Sequence, residues 1–438
     1  MTSSVNTKLV SLVFFTVILV SFLLYKAVPE SSAHLELDSV GYDRIALNFM
    51  HTGALTDPLQ SAALIPVQMV GYPLFLGIIY TIFGYNYGYV VLIQVLLWLI
   101  IIYLLYQLTQ RVFDNKSASI IIFLAGSVGF WVYSQMIMTE IILATFLTSF
   151  LYQFFVFWKT YQKTALALAG FFLGLSMIIK PVALFFIPVI ALIVVIHLYT
   201  NKQNIRALLL FFLLLTVPVS SYMTYNYSTY GQFVLAPLAQ ENIYHYYLPR
   251  LIAFVDQKPL EGAQQIINQT IIEKDKLKRE HWVPLEKLLW NTVKQHPLSA
   301  CYVWLNNVMR SMFGLYSSEL KSLLNPAVKG GSCSFFKQNG LLHQRLWSYI
   351  TYGSPSVWVT FITLYEALWL CLEYVLALLG LWILLKRKQY LITIFFILYI
   401  SYFLMITGHD GCGRYRMMIE PVLLVLASAG FARLVSYE

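Results

Sequence analysis

Acidic side chains follow directly after the first long apolar segment of this 438-residue chain. Glu36, Asp38 and Asp43 all lie within residues 36–43. Carboxylates are costly next to hydrocarbon, so acids at the mouth of a membrane bundle are candidates for chemistry or ligand binding. Asp38 is the leading candidate for a general base, because a carboxylate can take the proton of an attacking hydroxyl group. The alternative at this position is a helix cap formed by Asp38 or Ser39.

Further polar residues are expected at the same membrane face, at the ends of later apolar segments. Glu140 is predicted to be a second catalytic carboxylate, with stabilisation by the helix dipole as the alternative. Lys180, Arg414 and Arg416 suit a phosphate group, because such cations can stabilise the charge on a leaving phosphate. Snorkelling toward lipid headgroups is the ordinary alternative for these three cations. The predicted substrate contacts are Tyr42, Asp43, Asn226 and His409.

The residue types leave some roles open. His409 could act as a ligand, as an acid or only as a polar loop residue. On a helix, Asp43 would be rotated well away from Asp38, which makes it a secondary candidate. No cofactor is certain from the sequence. A divalent metal held by Glu140 or Asp38 stays open, and its identity is unknown.

The composition predicts an integral membrane protein. The chain is 59% hydrophobic and only 11% charged, whereas soluble domains carry about 25% charged residues. The formal net charge of +9 comes from basic residues scattered along the ends of apolar segments. This distribution favours topological anchoring and argues against a nucleic-acid partner.

The apolar pattern predicts an all-α polytopic protein, since about 20 helical residues cross a bilayer. The short segment Tyr72–Phe83 is instead expected to be an interfacial or re-entrant helix. Basic residues concentrate in alternate connections, which predicts cytoplasmic N- and C-termini. We predict ten spans: Leu9–Tyr25, Gly88–Leu108, Ser117–Tyr133, Glu140–Trp158, Ala165–Ile179, Val182–Tyr199, Ala207–Met223, Thr360–Leu385, Leu391–Ile406 and Met418–Ala432.

Three regions follow from this pattern. Residues 1–224 form an N-terminal transmembrane module whose first outer loop, 26–87, carries the catalytic acid. Residues 225–358 form a more polar outer-face helical segment, and 359–438 contain the closing transmembrane helices. Leu298–Tyr316 is expected to be a helix in the interface plane; if it crosses the membrane instead, the later topology is reversed.

Several motifs of this chain resemble the GT-C superfamily of membrane glycosyltransferases, in its protein O-mannosyltransferase-like and aminoarabinose-transferase-like branch. The motifs are Asp38-Ser39-Val40-Gly41-Tyr42, Gly71-Tyr72-Pro73, Glu140, Lys180-Pro181, Asn226 with Tyr230-Gly231-Gln232-Phe233, and Arg414-Tyr415-Arg416 with Pro421. In the first of these motifs the chain has Ser39 after Asp38, where the mannosyltransferases have a second acid.

This resemblance implies transfer of a sugar from a polyprenyl-phosphate donor to a lipid, glycan or protein acceptor at the outer membrane face. Asp38 would serve as the base of an inverting-type reaction, and Lys180, Arg414 and Arg416 would hold the donor phosphate. The implied setting is a multi-pass protein among the lipids of a bacterial plasma (inner) membrane.

Two alternatives remain open at this stage. A polymerase or ligase of lipid-linked polysaccharide would share the carrier and the outer-face site. A transporter would require ionisable residues deep within several spans and an internal repeat. Only Glu366 and Glu373 fit that description, and the sequence has no phosphate-loop motif for nucleotide-driven transport.

Overall fold

The computed structural model describes residues 2–29, 31–35, 37–60, 65–66, 68–124, 127–235, 242–270, 279–325 and 341–435. All regular elements within these ranges are helices, which confirms the all-α expectation. The α-helices of the N-terminal half are α1 Thr2–Ala27, α2 Leu37–Thr52, α3 Gly71–Phe83, α4 Tyr87–Val112, α5 Asn115–Leu124, α6 Val128–Gln135, α7 Glu140–Thr160, α8 Lys163–Ile179, α9 Ile187–Thr200 and α10 Ala207–Tyr230.

The remaining helices comprise an outer group and three long closing ones. Short 3₁₀ helices occur at Ser31–His34, Pro181–Phe186 and Gly413–Met418. The later α-helices are α11 Leu248–Val255, α12 Leu260–Thr270, α13 Arg279–Gln295, α14 Pro297–Phe313, α15 Ser317–Leu324, α16 Leu342–Thr351, α17 Val357–Lys386, α18 Tyr390–Ile406 and α19 Glu420–Val435.

Long apolar helices make this a multi-pass membrane protein. Among the described residues, five helices are long and apolar enough to cross a membrane: Tyr87–Val112, Glu140–Thr160, Pro181–Thr200, Ala207–Tyr230 and Val357–Lys386. Helices stand at the other predicted spans too, but the third one is built from two pieces, α5 and α6. The count of ten spans, the orientation of the termini and the three-region division therefore stay predictions.

Small residues let the helices that carry the site pack closely. A Cβ atom at Gly170 of α8 would lie 2.2 Å from the Phe211 carbonyl oxygen of α10, and one at Gly430 of α19 would lie 2.2 Å from that of Leu376 in α17. Side chains there would force the backbones apart. These contacts fix α8, which ends before Lys180, and α19, which begins after Arg416.

The segment predicted to be an interfacial or re-entrant helix forms α3, which packs against α2; its place relative to the membrane stays a prediction. A Cβ atom at Gly77 would lie 2.6 Å from the Phe49 ring, and one at Gly71 would lie 2.5 Å from the Ile178 carbonyl oxygen. Thus α3 contacts both the helix that begins with the acidic stretch and the end of α8. This packing places Asp38 and Lys180 in the same part of the molecule.

The chain after α2 is held by a buried ion pair. Arg44 Nη2 lies 2.6 Å from Asp57 Oδ2, and the Asp57 side chain is fully buried. Asn48 donates to the Ala54 carbonyl oxygen at 3.0 Å. The Tyr225 hydroxyl of α10 accepts from the Leu55 backbone N–H at 3.0 Å. These contacts therefore fix the later part of α2 and the chain that follows it.

Candidate active site

Asp38 contacts a cation from the other end of the chain. It lies in the first turn of α2, and its Oδ2 accepts from Arg414 Nη1 at 2.7 Å. Its side chain is 40% exposed, so the carboxylate is accessible. Burial raises the pKa of Asp38, but Arg414 and Lys180 outweigh that effect and lower it below its usual value. Asp38 is therefore ionised at neutral pH.

Glu140 and Lys180 form a second ion pair. Lys180 Nζ lies 2.8 Å from Glu140 Oε1, and the Glu140 side chain is 2% exposed. Glu140 is the first residue of α7, where the helix dipole also favours a carboxylate. Lys180 stands between α8 and Pro181, and its charge acts on Asp38 as well. Two acids and two cations therefore meet from four distant segments.

The Tyr415 ring lies close to both of these cations. Lys180 Nζ is 5.6 Å and Arg414 Cζ is 5.3 Å from the ring centroid, distances at which the π face attracts positive charge. The Tyr415 hydroxyl donates to Asp410 Oδ2 at 3.3 Å. Tyr415 thus fixes the two cations relative to one another, a role that the sequence did not indicate.

A buried glutamine determines where α7 begins. Gln94, within the apolar helix α4, accepts from the Tyr72 hydroxyl at 3.0 Å. Its amide donates to the carbonyl oxygens of Ser134 at 3.1 Å and Met136 at 2.8 Å. The short turn that follows leads directly into Glu140. A polar residue inside an apolar span was the available sequence signal for Gln94.

Tyr42 lies on α2, about one helical turn after Asp38. Its ring packs edge-on against Tyr72 with centroids 5.3 Å apart, and it is 9% exposed. Burial and the nearby Asp38 raise the pKa of the Tyr42 hydroxyl. Tyr42 therefore packs α2 against Tyr72 of α3. Its predicted substrate contact stays a prediction.

Asp43 faces a different set of partners from Asp38. Its carboxylate accepts from the hydroxyls of Tyr80 at 2.7 Å, Tyr85 at 3.0 Å and Tyr87 at 3.2 Å. These bonds join α2 to α3 and to the start of α4. The contacts give Asp43 a role in holding α2, whereas the predicted substrate role has no support in this geometry.

Asn226 lies near the end of α10 and is fully buried. Its amide donates to the Val234 carbonyl oxygen at 2.9 Å, which turns the chain back after the helix. No contact within the described part of the chain links Asn226 to Asp38 or Arg414. Its predicted substrate contact stays a prediction.

His409 stands beside Tyr415, with ring centroids 5.8 Å apart. Its Nδ1 lies 3.1 Å from the Ile406 carbonyl oxygen. Burial lowers the pKa of His409, and the charges of Arg414 and Arg250 act in the same direction. The imidazole is therefore neutral near pH 7, with its buried Nε2 lacking a hydrogen-bond partner among the described residues.

Arg416 does not join the Asp38 site. Its Nη1 donates to the carbonyl oxygens of Gly314 at 2.7 Å and Met312 at 3.1 Å. The guanidinium lies 3.6 Å from Glu366 and 3.4 Å from Glu420, with its side chain 2% exposed. Two buried carboxylates already neutralise the charge of this guanidinium group. In this geometry Arg416 is a positioning residue for the segment that carries Arg414.

Glu366, one of the two acids that would fit a transporter, belongs to the same cluster as Arg416. Glu366 accepts from the backbone N–H groups of Tyr316 at 2.6 Å and Ser317 at 2.8 Å, so it caps α15. The Tyr316 hydroxyl donates to Glu420 at 3.2 Å. Glu366 is therefore engaged in joining α17 to the outer segment. Glu373 is buried nearby.

The arrangement of the acidic side chains bears on metal binding. Within the described ranges, no group of three or more His, Cys, Asp or Glu side chains is arranged to hold a metal ion. Asp38 and Glu140 each contact a cationic side chain instead. The donor set does not fit a divalent ion in this geometry, so no step is assigned to one.

Part of the chain is similar to a known protein family. Residues 68–222 match the model of the dolichyl-phosphate-mannose-protein mannosyltransferase family. This range contains Glu140 and Lys180 but not Asp38 or Arg414. No curated protein matches the chain.

Several solved structures are similar to this chain. An apo oligosaccharyltransferase from Archaeoglobus fulgidus is 16% identical with a TM-score of 0.50, covering 98% of this chain and 54% of that one. AglB from the same organism, with an inhibitory peptide and a dolichol-phosphate, is 15% identical with a TM-score of 0.49, over 97% and 50%. ArnT from Cupriavidus metallidurans bound to undecaprenyl phosphate is 14% identical with a TM-score of 0.38, over 98% and 79%.

The resemblance to GT-C membrane glycosyltransferases is thus confirmed for the fold. This chain spans about half the length of the two archaeal structures. Activity, substrates and partners of those proteins do not follow from this likeness.

Proposed function

We propose that this chain is an inverting glycosyltransferase that moves a sugar from a polyprenyl-phosphate donor to a lipid, glycan or protein acceptor at the outer membrane face. The observation that carries the proposal is the Asp38–Arg414 pair at 2.7 Å, with Lys180 and Glu140 beside it. A base for the acceptor and two cations for the donor phosphate are both supplied by this arrangement.

The chemistry assigns one task to each group. The acceptor hydroxyl oxygen forms a bond to the anomeric carbon of the sugar while its proton passes to the Asp38 carboxylate. The bond between that carbon and the phosphate oxygen breaks on the opposite side, and the phosphate leaves with the electron pair. Lys180 and Arg414 stabilise the new negative charge. Glu140 holds Lys180 in place.

The Asp38–Arg414 contact also provides a means to couple donor binding to base strength. In the free protein Arg414 lowers the pKa of Asp38, which makes it a weak base. A donor phosphate that draws the guanidinium away would remove this stabilisation of the carboxylate. Asp38 would then become a stronger base only when the donor is present.

Two further observations support this donor class. The matched family takes its name from a dolichyl-phosphate-linked sugar, and the match includes Glu140 and Lys180. Arg414 Nε is buried and has no hydrogen-bond partner among the described residues, so an N–H donor remains for a phosphate oxygen. We further propose the bacterial inner membrane as its location, with the site facing outward and both termini in the cytoplasm.

Mass spectrometry of lipids that co-purify with the protein tests the donor class without knowledge of the sugar. We expect polyprenyl-phosphate species to be enriched with the wild-type protein and depleted with the Lys180→Gln/Arg414→Gln variant. The matched control is Lys258→Gln, which changes an exposed lysine on the outer segment. Equal amounts of these lipids in the wild type and the double variant would count against the donor assignment.

A further inference from the structure

The side-chain amide of Gln68 lies against α2 at Gly41. A Cβ atom at Gly41 would lie 2.6 Å from the side-chain carbonyl carbon of Gln68 and 3.1 Å from its Oε1. The three atoms nearest to that Cβ position all belong to this amide. Any other side chain at residue 41 would therefore collide with the amide, and glycine admits it to the surface of the helix.

The helix itself gives no reason for a glycine at this position. Gly41 lies inside α2, Leu37–Thr52, where glycine is less favourable than alanine. Its φ is not positive, so the backbone conformation does not require glycine either. The close approach of Gln68 is the feature of the structure that accounts for Gly41.

The Gln68 amide has an unused hydrogen-bonding atom. Gln68 is half-buried, and its Oε1 is buried without a hydrogen-bond partner among the described residues. A buried acceptor that is left unpaired is destabilising, and such groups are usually paired with protein, water or ligand. The nearby charged groups already pair with one another, as Asp38 does with Arg414 and Glu140 does with Lys180. Gln68 is therefore a neutral polar group that a ligand can satisfy.

Both neighbours of Gln68 place it beside the proposed site. Gly41 follows Asp38 by three residues, which puts the two on the same face of α2. A Cβ position on a helix is tilted toward the N-terminus, so the amide at this position lies toward the turn that carries Asp38. The chain after Gln68 leads into α3, whose first residue packs against the end of α8, just before Lys180. The segment that carries Gln68 therefore adjoins both the helix of the base and the end of α8.

The proposed reaction specifies what lies at this position. The anomeric carbon must sit between the phosphate held by Lys180 and Arg414 and the acceptor oxygen at Asp38, so the sugar ring adjoins all three side chains. A sugar hydroxyl group both donates and accepts hydrogen bonds, and a neutral amide offers Oε1 as an acceptor and Nε2 as a donor. The chemistry of Gln68 thus matches a hydroxyl group of the sugar.

We propose that Gln68 binds a hydroxyl group of the sugar that is transferred, and that Gly41 makes room for the amide to do so. Gln68 is then a specificity-determining residue, because a site built to hydrogen-bond a hydroxyl group discriminates against a substrate that lacks it. This inference rests on the proposed function for the identity of the donor. The position of the amide rests on its contact with Gly41.

Affinity for donors with and without a sugar tests this role. Purified full-length protein in nanodiscs is titrated with polyprenyl phosphate alone and with polyprenyl phosphate that carries mannose, glucose, galactose or N-acetylglucosamine. We expect the wild type to bind at least one of the sugar-bearing donors more tightly than polyprenyl phosphate alone. Gln68→Met keeps the length of the side chain and removes both hydrogen-bonding atoms. It should weaken binding of that donor about tenfold and leave binding of polyprenyl phosphate alone unchanged.

Two further variants separate the contact from a general effect of substitution. Gln264→Met changes an exposed glutamine of α12, and it should bind every donor as the wild type does. Gly41→Ala leaves Gln68 in place, but the added Cβ atom displaces the amide, so affinity for the sugar-bearing donor should fall as in Gln68→Met. Its thermal stability should be unchanged or higher, because alanine favours the helix. Combining Gly41→Ala with Gln68→Met should cause no further loss of affinity, since both act on one contact.

The outcomes distinguish failure of this inference from failure of the proposed function. If Gln68→Met prefers the sugar-bearing donor over polyprenyl phosphate alone as strongly as the wild type does, the role of Gln68 is overturned and the donor class stands. If neither protein binds any polyprenyl phosphate, the donor class itself is overturned, and the inference with it. If Gln68→Met raises only the KM for the acceptor in a transfer assay, Gln68 contacts the acceptor and the proposal is wrong.

Discussion

The Asp38→Asn protein is expected to fold normally and to transfer sugar about 10²–10⁴ times more slowly than the wild type, which is the usual contribution of a general base. Asparagine keeps the shape of the side chain but cannot accept the acceptor proton. Since Asp38 is 40% exposed, loss of its pair with Arg414 should cost at most about 1 kcal/mol of stability. The measurement is release of polyprenyl phosphate from a panel of polyprenyl-phosphate sugars by the purified protein.

A matched control separates catalysis from charge. Asp256→Asn removes an exposed carboxylate of the outer segment that pairs only with Lys258 among the described residues, at 3.1 Å. It should release polyprenyl phosphate at the wild-type rate. If Asp38→Asn is folded and equally fast, Asp38 is not the base.

The Arg414→Gln protein is expected to lose about 10²–10³-fold in kcat/KM for the donor, because a cation for the leaving phosphate is removed. Arg416→Gln should behave differently, since it leaves buried carboxylates without their cation, at a cost of about 3–5 kcal/mol in stability. Thermal unfolding in detergent and donor kinetics distinguish the two. If the two variants were equally stable and had equally reduced kcat/KM for the donor, the separate roles of Arg414 and Arg416 would be contradicted.

Arg414→Gln should also shift the pH profile. Arg414 lowers the pKa of Asp38, whereas burial raises it. Without the guanidinium the effect of burial is less opposed, so the pKa rises. The acid limb of kcat/KM should therefore move to higher pH in the variant. If the acid limb of kcat/KM lies at the same pH in Arg414→Gln as in the wild type, Asp38 does not titrate in the rate-determining step.

The sequence predicted the membrane class and four of the residues that meet. The sequence indicated these four residues because charged residues are rare in an apolar chain and because all four were expected at the same membrane face. They are Asp38, Glu140, Lys180 and Arg414. Their pairing was not predictable, since Asp38 and Arg414 are 376 positions apart. Packing of several helices decides such contacts.

Arg416 was grouped with Arg414 because the two are close in the sequence. The structure places them on a 3₁₀ helix, Gly413–Met418, which has about three residues per turn. Residues two positions apart on such a helix point to different sides. Arg414 therefore reaches Asp38, whereas Arg416 reaches Glu366 and Glu420.

Helical periodicity predicted the direction of the Asp43 side chain but not its partners. Five residues on an α-helix rotate a side chain well away from the first one, and Asp43 does face partners other than Arg414. Its three tyrosine partners are Tyr80 near the end of α3, Tyr85 in the turn that follows, and Tyr87 at the start of α4. Nothing in the spacing of the first loop indicated them.

The most direct test of sugar transfer is the anomeric configuration of the product formed from a polyprenyl-phosphate sugar of known configuration. Purified wild-type protein in a membrane should release polyprenyl phosphate and give a product of inverted configuration, as determined by NMR. We expect one inverted linkage per polyprenyl phosphate released, and we expect Asp38→Asn to lose both the linkage and the release. A product of retained configuration, or substrate uptake into proteoliposomes without any polyprenyl phosphate released, would contradict it.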